Sequence, residues 1–299
     1  MSEPDQPPLD VTQQSDLDQL LSLFDLEERD PDVFIGEHPS AVGPRTFGGQ
    51  LLSQGIVAAG RSVERETPVH ALHAHFIRGG DVSMPIEYHV DRTRDARSFA
   101  NRQVTAKQEG DELFTMLVAF QDVTKGLEHA VEIPEVPYPE DLPPLGEHFE
   151  GFEDRIAAFV NAIHPIDIRF ANDPTWKLRE SGDKLDNNRV WMRTDGQISD
   201  DRLLHVAAMC YASDTTVLDS IITTHGLSWG IDRLFAATVN HSMWFHHDFR
   251  FDDWMLYATE SPVAAGSRGL GTGRFFTRDG ALAATVVQEA TIKYFPPRG

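Results

Sequence analysis

The sequence predicts an α+β protein made of two tandem units, each a long helix wrapped by an antiparallel sheet. Three observations carry that reading. Two apolar helix-like runs, residues 47–64 and 205–220, are each followed by a long stretch in which strand-like segments alternate with period two. Each half closes on a strand rich in β-branched or apolar residues, 113–121 and 282–290, entered through the turns Gly110-Asp111 and Asp279-Gly280. The halves are offset by about 169 residues, which marks an internal duplication rather than a short repeat array.

Residues 1–14 are polar, acidic and proline-containing, the composition of a disordered tail. Residues 15–24 read as a short helix, with Leu17, Leu20, Leu21 and Phe24 at helical spacing behind a capping Ser15. Residues 33–36 read as a brief strand. The helix over 47–64 carries Leu51, Leu52, Ile56, Val57 and Ala58 as its apolar stripe. At its start, Gly48 and Gly49 either admit a backbone or ligand at close range or simply mark a glycine turn. Strands follow over 69–77, 86–93, 98–108 and 113–120, separated by Gly79-Gly80-Asp81 and Glu109-Gly110-Asp111. Residues 122–154 break the pattern, with Pro134, Pro137, Pro139, Pro143 and Pro144 set among acids, and read as an extended connector. The chain thus divides into a tail (1–14), an N-terminal unit (15–121), the acidic connector (122–154) and a C-terminal unit (155–299). That last unit offers strands over 166–170, 189–194, 238–249, 254–260, 270–277 and 281–292 around the 205–220 helix.

Charge and composition exclude several function classes. The net charge of -21 over 299 residues argues against nonspecific nucleic-acid binding. Residues 1–30 and 122–154 hold most of it, leaving only about -4 on the rest, so an anionic small molecule is not excluded from the folded core. No run of eighteen or more apolar residues exists, so no membrane insertion is expected. The amino-terminal stretch has neither a basic n-region nor an apolar h-region, and the terminal PPRG is no peroxisomal address. A single cysteine, Cys210, permits no intrachain disulfide. The expected compartment is the cytoplasm.

The 205–220 run, HVAAMCYASDTTVLDS, places one carboxylate among small and apolar neighbours. Val206, Met209, Cys210, Ser213, Val217 and Leu218 define a broad buried face, and Asp214 falls at or near it. The alternative is a solvent-facing Asp214 that caps a turn with Thr215 and Thr216. Thr238 and Gln288 are polar residues in otherwise apolar, alternating strands. If the helix packs on that sheet, a carboxylate, a hydroxyl and an amide can converge and hold a water. Strand periodicity permits these three residues without selecting them.

Three rival patterns are present. Gly226-Leu227-Ser228-Trp229-Gly230 matches G-x-S-x-G, with His241 and Asp252 downstream, but a nucleophile elbow needs alternating βαβ units and this chain has a β meander. His246, His247 and Asp248 suggest a metal, yet adjacent histidines on a strand point to opposite faces. Cys210 sits among Ala, Met and Tyr, the setting of a packed core thiol.

The selection comes from longer motifs. ASD in the helix, TVNHSMWFH, DDWMLY, SRGLGTGRFFTRDGALAATVVQE, and in the first half FGGQLLSQ and HALHAHFIRGGD followed by PIEYHVDRTRDARSFANRQVTAKQ, together resemble the acyl-CoA thioesterase II family, the TesB-type enzymes. The resemblance runs from about Phe47 to Gln288. It implies a double hotdog fold and hydrolysis of fatty acyl-CoA to free acid and coenzyme A, with no metal or redox cofactor and with self-association. It places the family's catalytic aspartate on Asp214, its hydroxyl on Thr238 and its glutamine on Gln288. The sequence departs from the family at His246-His247-Asp248-Phe249, where HRPF is usual, and at Ala96 and Ala290, where glycine is usual.

The first-half helix offers Gln50 and Gln54 where an acid would be wanted, so the second unit is expected to do the chemistry, and the counterpart of Gln288 is expected at Gln121 or Phe120. Arg92, Arg94, Arg97 and Arg102 are expected to meet the coenzyme A phosphates, beside Gly48 and Gly49, unless they are simply a charged outer sheet face. Two other readings compete: a noncatalytic acyl-CoA-binding protein on the same fold, and a serine hydrolase using Ser228. An enoyl-CoA hydratase would want an Asp and a His acting together, and the helix has no histidine within one turn after Asp214.

Overall fold

The computed structural model describes residues 14–39, 45–63 and 67–296. The tail expected over residues 1–14 lies outside them except for Gln14, as do the capping side chain of Ser15 and the terminal residues 297–299. In chain order the elements are α1 (Gln14–Phe24), β1 (Glu27–Asp30), β2 (Val33–Gly36), α2 (Gly48–Arg61), β3 (Val69–Phe76), β4 (Ile86–Asp95), β5 (Phe99–Gln108) and β6 (Asp111–Gln121). After two single 3-10 turns come α3 (Ala157–Val160), β7 (Ile166–Phe170), α4 (Thr175–Ser181), β8 (Asn187–Thr194), α5 (Arg202–Thr216), α6 (Asp219–Thr224), β9 (Leu234–Phe245), β10 (Met255–Ala265), β11 (Arg268–Thr277) and β12 (Leu282–Tyr294).

All twelve strands form one antiparallel sheet in the order β1-β2-β4-β5-β6-β3-β9-β12-β11-β10-β8-β7, so the α+β expectation holds. The order reads alike from either end toward its centre. Where the halves meet, β3 runs against β9, and the middle pair of that seam, His73 and Ser242, is 169 residues apart and joined by a 3.1 Å hydrogen bond. A pseudo-two-fold axis therefore passes through this pair, and the spacing read from the sequence is the symmetry operator of the fold.

The sheet wraps an antiparallel helix pair. Leu51, Leu52, Ile56 and Val57 of α2 and Ala207, Ala208, Met209 and Cys210 of α5 are buried in one core with Val104, Met116, Met243, Tyr257 and Val286 from the strands. Small residues let the two helices approach. A Cβ on Gly49 would lie 2.5 Å from the Tyr211 carbonyl oxygen, and one on Gly60 would lie 2.6 Å from the Leu203 side chain. The amino end of α2 is thus held against the carboxyl end of α5.

Four features differ from expectation. The charged segment Glu27–Asp30 forms the edge strand β1, because its backbone pairs with β2 while its exposed charges guard the open edge. The helix read over 205–220 is two helices, α5 ending at Thr216 and α6 starting at Asp219; near the break the Ser213 and Thr215 hydroxyls bond back to the Cys210 and Ala212 carbonyls. The strand read over 238–249 runs instead from Leu234 to Phe245, which leaves His246, His247 and Asp248 beyond its end. The proline-rich connector is not a loose tether: Ile133, Val136 and Leu142 pack on Trp191, Trp254, Leu256 and Phe276 on the outer face of the second half, and Trp191 Nε1 donates to the Pro137 carbonyl at 2.9 Å. Among the described residues no helix is long and apolar enough to cross a membrane.

Candidate active site

Asp214, Thr238 and Gln288 converge. α5 brings Asp214 to its last turn, β9 carries Thr238 and β12 carries Gln288, two strands that are neighbours in the sheet. Gln288 Nε2 donates to Asp214 Oδ1 at 2.7 Å and to Thr238 Oγ1 at 3.0 Å, and Thr238 Oγ1 donates to the same carboxylate oxygen at 3.4 Å. A bulge at Val239 resets the alternation of β9, so that Thr238 and His241 both reach the helix side. Gln288 and His241 are fully buried, whereas Asp214 is partly open.

The first half supplies the remaining wall. The amino end of α2 points at the carboxylate: a Cβ on Gly48 would fall 2.5 Å from Asp214 Oδ2, and the Gly49 backbone N–H hydrogen-bonds to the carboxylate. Phe47 makes an edge contact with Tyr211 at 5.1 Å, and the Phe76 ring lies 3.3 Å from the same hypothetical Gly48 Cβ. The carboxylate is therefore framed by two helix ends, two strands and an aromatic rim.

Desolvation dominates the electrostatics and raises the Asp214 pKa to about 6, against the bonds from Gln288, Gly49 and Thr238 that favour the charged form. The positive end of the α2 dipole acts in the same direction as those bonds. Burial, and then the charge of Asp214, pushes the Tyr211 hydroxyl up to about 12. Tyr257, which donates to the Ser213 carbonyl at 3.0 Å, is raised by the same two causes. The site thus holds one carboxylate that changes charge near neutrality.

The pseudo-symmetric position in the first half is stripped. Gln288 pairs with His241, as Val118 pairs with Leu72, and the symmetry matches the two pairs. Beyond the matching bulges, Thr238 corresponds to Val69. The Gly60–Leu203 contact mirrors the Asp214–Gly49 contact, so Gly60 stands where Asp214 would. Gln288 therefore answers to Val118, two or three residues before the expected Phe120 or Gln121, because the pairing with β3 and β9 and not the linear count sets the correspondence between β6 and β12. Gln50 and Gln54 are turned away, donating to the Glu37 carbonyl.

The four arginines do not form one phosphate surface. Arg102 is buried, and all five of its N–H groups are used, by Ser62 Oγ and O, the Arg94 and Asn101 carbonyls and Asp95. It cannot meet a phosphate, and packs instead inside the first unit. Arg92 is paired bidentately with Asp32, while Arg94 and Arg97 are exposed where β4 turns into β5. A cleft of about 1030 Å³ at the amino end of α5, lined by Arg193, Arg202, Arg250, Arg278, Trp254 and Tyr138, holds none of the three converging residues. Its arginines are matched by Asp167, Asp248, Asp252 and Glu140.

The rival patterns come apart. Ser228 is buried in a loop, within 3.1 Å of Thr175 Oγ1, while His241 faces Ser213 and Gln288 and Asp252 binds Arg250 and the Ile198 N–H. Ser228, His241 and Asp252 form no triad. Cys210 is buried, and burial pushes its thiol far up. His246 bonds to Thr285 and Asp248 to Arg202, and among the described residues no group of three or more metal-ligating side chains is clustered. His241 is the site residue that the sequence undervalued: the NHSMWFH motif contained it, but nothing in its spacing tied it to Gln288.

Family models cover most of the chain: residues 159–291 match acyl-CoA thioesterase, and residues 37–121 match the acyl-CoA thioesterase N-terminal domain. Acyl-coenzyme A thioesterase 8 from Mus musculus is 38% identical over 293 residues, covering 92% of this chain and 89% of the relative. An acyl-CoA thioesterase II from Mycobacterium marinum superposes with a TM-score of 0.76 at 33% identity, covering 94% of this chain and 99% of that one. A protein from Alicyclobacillus acidocaldarius described as having a hot dog fold superposes equally well, at 0.76, with 20% identity and coverage of 93% and 98%.

Proposed function

This chain belongs to the acyl-CoA thioesterase II family, and from that premise we propose that its thioester hydrolysis runs by direct attack of a water activated by Asp214, Thr238 and Gln288, with fatty acyl-CoA as substrate. One observation carries the reading, the convergence of the three side chains at 2.7–3.4 Å in front of a helix amino end. Asp214 Oδ1 is occupied by Gln288 and Thr238, which leaves Oδ2 as the oxygen that takes a proton from water. The water oxygen adds to the thioester carbonyl, and the oxyanion develops at the positive amino end of α2, whose Gly49 N–H already holds the carboxylate. Collapse expels the coenzyme A thiolate, which recovers the proton from Asp214. Phe47, Phe76 and Tyr211 provide apolar contact for the acyl chain next to the carboxylate.

Free-thiol release from a panel of acyl-CoA esters tests this reading. Because the base must be ionised, kcat is expected to rise with pH through about 6 and then level off. A profile flat between pH 5 and 8, with chemistry rate-limiting, would remove Asp214 as the base.

Direct water attack also makes a prediction about nucleophiles. Ser228→Ala and Cys210→Ala are expected to retain turnover, and no acyl adduct should accumulate on either side chain under single-turnover conditions. Mass-spectrometric detection of an acylated Ser228 or Cys210 would overturn the mechanism.

A further inference from the structure

His241 takes no part in the steps above, yet it is fully buried against the site. Its ring is bracketed on both sides: Nε2 lies 3.0 Å from Ser213 Oγ, and Nδ1 is in close contact with Gln288 Oε1. A neutral imidazole has one N–H, so it can donate to only one of these neighbours. Burial holds the ring pKa down at about 4, so the neutral form is the one present at neutral pH.

Gln288 decides which nitrogen carries the hydrogen. One end of its amide meets Asp214 Oδ1 and Thr238 Oγ1. An ionised carboxylate only accepts, so that end is the NH2 group and the end facing His241 is the carbonyl. Nδ1 therefore carries the hydrogen, and the bare Nε2 accepts from the Ser213 hydroxyl. That hydroxyl has the Cys210 carbonyl as its alternative acceptor at 2.8 Å.

We propose that His241 is a positioning residue for the hydrolysis: its Nδ1–H fixes the Gln288 carbonyl, so that the amide NH2 is aimed at Asp214 and Thr238, while Nε2 is left bare toward the Ser213 hydroxyl. The inference rests on the reading of Asp214, Thr238 and Gln288 as the water-activating set. A glutamine amide is nearly symmetric in shape, and without a donor on its carbonyl it can turn over. The turned amide sets its oxygen against the carboxylate, which removes two hydrogen bonds and adds repulsion. The other half of the molecule provides the independent argument. At the symmetric positions stand Leu72 and Val118, so the histidine is found where there is an amide to orient and a leucine where there is none.

The sign of the effect on Asp214 follows. The Gln288 hydrogen bond lowers the carboxyl pKa against the larger effect of burial, so losing it must move the acid limb of the rate profile to higher pH. Tyr211 and Tyr257 are the other titratable groups beside the carboxylate, and both remain protonated across this range.

The test is His241→Leu, the side chain the fold accommodates at position 72, assayed by thiol release from a fixed acyl-CoA across pH 5–9. The expected result is a fall in kcat of ~10–10²-fold with KM changed by less than about threefold, since only the reacting geometry is disturbed. The acid limb should shift upward. His241→Asn, whose amide nitrogen falls near the place of Nδ1, should recover most of the rate. His241→Leu combined with Gln288→Ala should be no slower than Gln288→Ala alone, because the histidine acts only through the amide. An unmoved pH profile in His241→Leu, additive losses in the double variant, or a folded His241→Asn as slow as the leucine variant would each overturn the proposal. Should His241→Leu fail to fold, the comparison of His241→Asn with His241→Gln decides: equal rates overturn the proposal, and a faster Asn variant supports it. Parental turnover in Gln288→Ala would instead sink the water-activating role of Gln288, a separate outcome.

Discussion

Asp214→Asn is expected to lower thiol release from acyl-CoA by ~10²–10⁴-fold while the protein still folds. The substitution keeps the shape of the side chain and leaves an oxygen for Gln288 and Thr238 to bond, so the constellation survives without its base. The size of the loss separates two roles. A group that only orients water costs less than one that also takes its proton, because the second is used most strongly in the transition state. Stability gives an independent check with a definite sign. Burial raises the folded pKa of Asp214 to about 6 from an ordinary value of 3.8, so ionising it in the fold is unfavourable. Its contribution to stability is therefore lost as pH rises from about 4 toward 6, and the thermal stability of Asp214→Asn relative to the parent should improve over that window. Near-parental turnover at pH 7.5 in a folded variant would dismiss Asp214 as the base.

The sequence made the architecture legible because the duplication is long and each half repeats the same order of helix and meander. The 169-residue spacing survives in the fold as the His73–Ser242 pair on the axis. Patterning was weakest where backbone pairing overrides composition: Glu27–Asp30 has no strand-forming side chain, yet it forms β1 because an edge needs only backbone partners. The three converging residues could not be picked by periodicity, since a polar residue on an alternating strand is common. Family motifs selected them, and the geometry then brought them within bonding distance. Arg102 drops out of the arginine cluster for a reason invisible in one dimension: the strand that carries it turns its side chain inward, beneath Ser62 and away from solvent. The expected asymmetry between the halves acquires a concrete form, with Gly60, Val69 and Val118 in place of an acid, a hydroxyl and an amide. What the sequence did not convey is that the amino end of α2, an element of the first half, faces the carboxylate of the second.

That crossing of halves leads to the other large expected effect. Gly48→Ala should reduce kcat by ~10²–10³-fold, as a displacement of a reacting group by about 1 Å already costs on the order of 10²-fold. A Cβ at position 48 would sit 2.5 Å from Asp214 Oδ2 and 3.3 Å from the Phe76 ring, so the carboxylate must swing away from the place where it takes the proton. It cannot do so without stretching the 2.7 Å bond from Gln288. The backbone itself accepts alanine there, since Gly48 opens a regular helical turn and its φ is not in the left-handed region. Alanine's helix preference over glycine, up to about 1 kcal/mol, offsets part of that displacement, so thermal stability should fall little while activity falls. Gly49→Ala should lose thermal stability as well as activity, because its Cβ would meet the Tyr211 carbonyl oxygen at 2.5 Å and the Phe47 ring at 2.4 Å, forcing the two helices apart. Thermal melts and kcat measured on both variants separate the two glycines. A Gly48→Ala protein with parental kcat would mean that the chemistry does not occur at the amino end of α2, and that the second half works without the first.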